Sequence, residues 1–242
     1  MIFHTITVTL RPPMAEIRLN TAIDARVLDD LDVAAAMISD DPQIRVVLLT
    51  AESGVSSRSV APVDGTVRAA LPFRSFELMP QPVIAVIEGD ATGAGLELAL
   101  ACDLRIASED ASFAMTVGDG AMPSLGGTQR LPRLIGRARA AEMILLGERI
   151  DARTALSYGL VNAVTPRGEA MVHAGRIAAA IAERGPIAVR YAKEAIARGL
   201  DMPLDQALRY ETDLTIILQT TADRAEGVRA FLEKRPPKFE GR

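Results

Sequence analysis

The chain has 242 residues, 49% apolar and 24% charged, which suits one large domain with a substantial core and excludes a disordered polymer. A formal net charge of −4 argues against nucleic acid as a partner, because such binders carry a basic face. With one cysteine, Cys102, and two histidines, His4 and His173, neither an internal disulfide nor a His-based metal site nor a Ser-His-Asp triad is expected.

Residues 4–10 (HTITVTL) alternate and are β-branched, which predicts a strand, and residues 15–19 (AEIRL) predict a second after the Arg11-Pro12-Pro13 turn. Ile23, Val27, Leu28, Leu31, Val33 and Met37 recur at helical spacing, predicting a helix over 24–38 with Asp24 as its N-cap. Residues 44–50 (IRVVLLT) are a nearly continuous apolar run, the pattern of a strand buried on both faces. A polar, Gly/Ser-rich loop over 51–66 precedes a further buried strand at 83–87 (VIAVI). From Gly93 the chain turns into a helix running to Leu104, and 103–107 (DLRIA) predicts a short strand. Cys102, within LALAC, is expected to be a reduced core residue.

This alternation of strands and helices predicts an α/β fold. The last third reads as helix only, over 170–184, 186–199, 204–219 and 222–234, with Pro186 and Pro203 near helix starts, where proline is tolerated. The chain closes on the basic tail KRPPKFEGR. No basic-then-apolar leader follows Met1 and no apolar run reaches membrane-spanning length, so a cytoplasmic location without a membrane partner is expected.

One segment carries more specific information. Residues 83–115 read VIAVIEGDATGAGLELALACDLRIASEDASFAM, followed by GGTQRLPRLIGRARAAEMILLGERIDARTALSYGLVNAVTP at 126–166 and AFLEKRPPKF at 230–239. Together with IRVVLLT these segments resemble the crotonase (enoyl-CoA hydratase/isomerase) superfamily in order and over most of the chain. The resemblance implies a spiral core of β-β-α turns over 1–175 and a C-terminal helical segment over 176–242 that builds homotrimers, stacked in many members as hexamers. It implies an acyl-CoA thioester as substrate, with coenzyme A entering as part of that substrate and no separate cofactor. The family's shared chemistry is stabilisation of a thioester enolate by two backbone N–H groups, an oxyanion hole in which one donor can be worth about 3 kcal/mol. Carried over, one donor is Ala94, the middle residue of Gly93-Ala94-Gly95, and the other is Val60 within SSRSVA. Glu97 matches the first of the two glutamates with which family hydratases hold water and shuttle protons. Lys238, in KRPPKF, matches a lysine that can reach the CoA phosphates.

The residues also depart from the family pattern. The second glutamate has no counterpart: residues 113–121 read FAMTVGDGA, with Thr116 or Val117 at the matching position and Ser124 after Pro123, where some isomerases carry aspartate. Asp119 is the one carboxylate nearby, either a substitute acid/base or a turn residue between Gly118 and Gly120. Arg58 stands where small residues are usual, and β-branched Val60 narrows the expected pocket. LNTAIDARVLDDL follows the strand at 15–19 directly, shortening a loop expected to touch CoA. Three readings therefore stay open: an enoyl-CoA lyase or isomerase working with Glu97 alone, a non-catalytic acyl-CoA-binding member of the family, and a hydrolase using Asp119.

Overall fold

A computed structural model describes residues 3–51, 56–57, 73–115 and 122–242. The chain opens with a hairpin of β1 (Ile6–Arg11) and β2 (Met14–Leu19), paired from Ile6 with Leu19 to Arg11 with Met14. Helix α1 (Ala25–Ser39) starts at Asp24, whose carboxylate accepts the N–H groups of Arg26 and Val27, and buries Val27, Leu31, Ala34, Ala35 and Ile38 on one face. Next come β3 (Val46–Ala51), β4 (Ser56–Ser57), α2 (Arg74–Leu78), β5 (Val83–Ile87), β6 (Ala91–Gly93), α3 (Ala94–Leu100), β7 (Leu104–Ser108) and β8 (Ser112–Ala114). Helices α4 (Gly127–Ile135) and α5 (Arg137–Leu146), strand β9 (Ile150–Asp151), helix α6 (Ala152–Tyr158) and strand β10 (Ala163–Thr165) complete the core. Four helices end the chain: α7 (Ala170–Ala182), α8 (Pro186–Gly199), α9 (Leu204–Gln219) and α10 (Ala222–Glu233).

The strands form two sheets. The larger has the order β1-β2-β3-β5-β7-β10 and is parallel apart from the opening hairpin; the smaller has the order β4-β6-β8-β9. Each turn of the chain gives a strand to one sheet and then a strand to the other: β3 then β4, β5 then β6, β7 then β8, with helical segments closing the turns. This is the α/β spiral of β-β-α turns expected above. Two details correct the sequence reading. The 51–66 loop contains a short strand, β4, which pairs in parallel with β6 through Ser56–Thr92 and Ser57–Gly93. The helix after Gly93 ends at Leu100 rather than Leu104, because the chain must turn at Ala101–Asp103 to enter β7 beside β5.

Burial on both faces explains the apolar strands. Val47, Leu49, Val83 and Ala85 point into a core shared with α1 and α3, whereas Val46, Leu48, Ile84, Val86 and Ile106 face α7. Helix α7 meets them with Ala170, Ala174, Ala178 and Ala182, a buried row at every fourth residue. The expected boundary at 175/176 falls within this helix. Cys102 is buried, and burial pushes its thiol up to about 12, as suits a reduced core residue.

Polar staples tie the C-terminal helices to the core. Lys193 of α8 is buried, pairs with Asp103 at 2.7 Å, and donates to the carbonyls of Phe76 and Gln81. Arg45 donates to the carbonyls of Ala182 and Phe239, holding the tail against the end of α7. No helix of the described residues is long and apolar enough to cross a membrane.

Candidate active site

Strand β6 and helix α3 meet at Gly93, whose φ of 53° and ψ of −127° lie where a side chain would be strained. Glycine there lets the chain leave the small sheet and enter α3 in one step. Ala94 is therefore the first helical residue, fully buried, and its N–H is among those that an α-helix leaves without an intrahelical acceptor.

Glu97 lies in the first turn of the same helix and is 3% exposed. A carboxyl so buried needs partners, and it finds backbone ones. Oε1 accepts the N–H of Leu125 at 2.9 Å and the N–H of Gly127 at 2.8 Å, both at the entrance to α4. Burial raises the Glu97 pKa above the ordinary glutamate value; the two N–H donors and the charge of Arg130 oppose that rise without cancelling it. A carboxyl held above its ordinary value keeps its proton to higher pH than an exposed glutamate does, the kind of perturbation that general acid/base chemistry uses.

The donor loop is closely fitted. Gly126 has a φ of 105°, and a Cβ built there would meet Arg130 Nη1 at 2.1 Å. At Gly127 a Cβ would meet Met115 Sδ at 2.4 Å and Glu97 Cγ at 2.9 Å. Arg130 donates from Nη1 to the Leu125 carbonyl at 2.8 Å and forms an ion pair through Nε with Glu77 of α2.

A small cavity of about 50 Å³ opens beside α3 at the ends of β3 and β5, lined by Thr50, Ala51, Ile87 and Glu88 and by Gly95 and Leu98 of α3. Ala94 and Glu97 lie on the same helix but do not line it. Among the described residues no three His, Cys, Asp or Glu side chains come together as metal ligands.

Residues 72–242 match the model of the enoyl-CoA hydratase/isomerase family. The chain belongs to this family. It is 39% identical to (E)-benzylidenesuccinyl-CoA hydratase of Thauera aromatica, over 98% of this chain and 96% of that one. It is 36% identical to 2,3-dehydroadipyl-CoA hydratase of Escherichia coli, over 99% and 96% respectively. Its fold superposes on a crystal structure of enoyl-CoA hydratase from Bacillus anthracis with a TM-score of 0.91 at 40% identity, covering 99% of this chain and all of that one.

Against the family pattern, the structure brings Ala94 and Glu97 onto one helix, as the GAGLE spacing requires. Val60, Arg58, Asp119 and the Thr116–Val117 position lie outside the described residues. Ser124 is exposed, beside buried Pro123. Lys238 is exposed at the far end of the chain; its backbone N–H donates to Glu226, and its side chain has no hydrogen bond or ion pair among the described residues. Arg235 grips the same Glu226 with two nitrogens and holds that carboxyl down at about 2. A groove of about 660 Å³ beside them is lined by Glu226, Arg229, Arg235, Lys238 and Arg242, among others. Sequence reasoning missed Leu125, Gly127 and Arg130. The adjacent glycines of GGTQR were the available signal, since paired glycines mark backbone that must approach something closely.

Proposed function

We propose that the chain acts on acyl-CoA thioesters as an enoyl-CoA hydratase/isomerase, with Glu97 as the acid/base and the N–H of Ala94 as one donor to the thioester oxygen. The observation that carries this reading is the Glu97 carboxyl, buried, aimed by the N–H groups of Leu125 and Gly127, and raised in pKa. Removal of an α-proton from an enoyl thioester pushes the electron pair onto the thioester oxygen. A backbone N–H aimed at that oxygen stabilises the enolate. Glu97 then returns the proton. In a double-bond shift from the 3 to the 2 position, one carboxylate takes the proton from the α-carbon and delivers it to the γ-carbon, so a single glutamate closes the cycle. Hydration needs hydroxyl delivery at the β-carbon and a proton at the α-carbon, for which family hydratases use two glutamates. The residues 113–121 carry none, so the shift suits this chain better than hydration.

Val60 supplies the second oxyanion donor in this reading, and Lys238 a contact to the CoA phosphates. Assembly belongs to it as well. Helices α8 to α10 expose Ile196, Leu200, Leu204 and Phe231 at 68–82%, apolar surface that a homotrimer or a hexamer of stacked trimers covers.

The test is a steady-state assay of purified protein with a 3-enoyl-CoA and with crotonyl-CoA, run beside Glu97→Gln. The expected result is conversion of the 3-enoyl substrate, reduced at least about 100-fold by the substitution. Equal turnover by the two proteins sinks the role of Glu97. The missing glutamate in 113–121 favours a second reading, a diverged member that binds acyl-CoA without turnover; calorimetric binding of acyl-CoA with no conversion of either substrate supports that instead.

A further inference from the structure

The peptide groups around Gly126 form a short relay. The Leu125 N–H and the Gly127 N–H both point at Glu97 Oε1, and between them lies the peptide that joins Leu125 to Gly126. Its carbonyl, that of Leu125, accepts from Arg130 Nη1 at 2.8 Å. The next carbonyl, that of Gly126, accepts the backbone N–H of Arg130 at 2.9 Å, and it belongs to the peptide whose other end is the Gly127 donor. Arg130 thus grips consecutive peptides from the side opposite Glu97. Its guanidinium also lies against Gly126, filling the space a Cβ would need, and its Nε is anchored on Glu77. The Arg130 side chain is 15% exposed, so a free guanidinium would not be tolerated there without such partners.

We propose that Arg130, anchored by Glu77, is a positioning residue for Glu97: by holding the Leu125 carbonyl it sets the direction of both N–H groups that aim the catalytic carboxyl. The inference rests on the reading of Glu97 as the acid/base. Its electrostatics point the same way, since the Arg130 charge opposes the upward push of burial on Glu97. The middle peptide links the two peptides that carry the donors, so releasing its carbonyl frees the backbone on both sides of it and loosens the aim of both N–H groups, and a misplaced proton shuttle is costly even when substrate still binds.

Arg130→Gln and Arg130→Lys separate positioning from simple stability. Arg130→Gln is expected to lower kcat by about 10- to 100-fold with KM within about twofold, and to move the Glu97 limb of the pH–rate profile upward. Arg130→Lys keeps the cation but cannot hold both Glu77 and Leu125, so kcat falls while the limb stays near the wild-type pH. A readout independent of turnover is the carboxyl 13C titration of Glu97, identified by its loss in Glu97→Gln; its midpoint should rise in Arg130→Gln. Wild-type kcat in Arg130→Lys, or an unmoved 13C midpoint in Arg130→Gln, overturns the proposal. Should Arg130→Gln not fold, the kcat of Arg130→Lys decides alone. If the midpoint moves but Glu97→Gln turns over like wild type, the coupling stands and the acid/base reading of Glu97 is the part that fails.

Discussion

Gly127 touches Glu97 twice: its N–H donates to Oε1 at 2.8 Å, and a Cβ on the glycine would stand 2.9 Å from Glu97 Cγ. The donor and the missing side chain are one requirement, because the peptide can approach the carboxyl only where nothing projects from the α-carbon.

Gly127→Ala is therefore expected to damage the site more than the fold. Met115 Sδ, 2.4 Å from the added methyl, is near the end of a flexible side chain and can swing aside, whereas Glu97 Cγ is fixed between helix and carboxyl. Overpacking of this kind costs about 1–3 kcal/mol. Urea unfolding should register that loss, and kcat should fall by about 10- to 100-fold as Glu97 shifts. A variant with wild-type turnover would show that the carboxyl tolerates displacement.

Glu97 also gives stability a pH dependence with a definite sign. Its pKa is raised in the folded protein, so between the unfolded and folded values the native state holds more protons than the unfolded chain. Its contribution to stability is present below the unfolded pKa and is lost as pH rises through the folded one. The side-chain amide introduced by Glu97→Gln can still accept both N–H groups through its oxygen but does not ionise. The melting temperature of Glu97→Gln minus that of wild type should therefore become more positive as pH rises from about 4, the ordinary glutamate value, through the raised folded one. A difference that is flat with pH, or that falls, contradicts the assigned direction.

Lys193 is the staple to break in order to detach the C-terminal helices. Its ammonium pairs with Asp103 and donates to the Phe76 and Gln81 carbonyls, and Asp103 in turn accepts the Val83 N–H. Lys193→Ala leaves two carbonyls without their donor and a carboxylate without its cation. The Asp103 side chain is 30% exposed, so water offsets part of the loss and the expected cost is about 2–3 kcal/mol. Denaturant melts of the variant and of wild type measure it.

The exposed apolar residues of α8 and α9 bear on assembly. Leu200 and Leu204 are 80% and 72% exposed, on either side of the turn that joins the two helices. Charge placed there should be harmless in a lone subunit and disruptive across a subunit contact. Sedimentation is expected to show a trimer or hexamer for wild type and monomers for the Leu200→Asp/Leu204→Asp double variant; an unchanged assembly would move the contact elsewhere.

Much of this architecture was legible from residue pattern. The alternation in HTITVTL, the apolar runs IRVVLLT and VIAVI, and the helical spacing after Asp24 each marked an element that is present within a residue or two. The small sheet was not legible, because β4, β6, β8 and β9 are two or three residues long and too short to display a period. Around the candidate site, the placement of Ala94 and Glu97 in the first turn of one buried helix followed from the GAGLE motif. Leu125 and Gly127 escaped because they act through N–H groups, which leave no trace in side-chain chemistry. Arg130 escaped for a related reason: its acceptor is a carbonyl, and an arginine in an amphipathic helix looks like one more solvated charge.

The alanine row of α7 has a consequence for how the molecule is built outward. Ala170, Ala174, Ala178 and Ala182 put only methyl groups on the fully buried row by which the helix rests on the large sheet, with Met171, Ile177 and Ile181 packing half-buried beside it. That seating works as a gauge block: the heading of α7 is dictated by the sheet strands, and α8 to α10 set out from its end. The strands that give α7 its heading also launch the turn bearing Ala94 and Glu97. A single Ala178→Val exchange would set a second layer of methyl groups under the helix and tilt every contact a neighbouring subunit could make, while leaving the Glu97 carboxyl and its two N–H donors untouched.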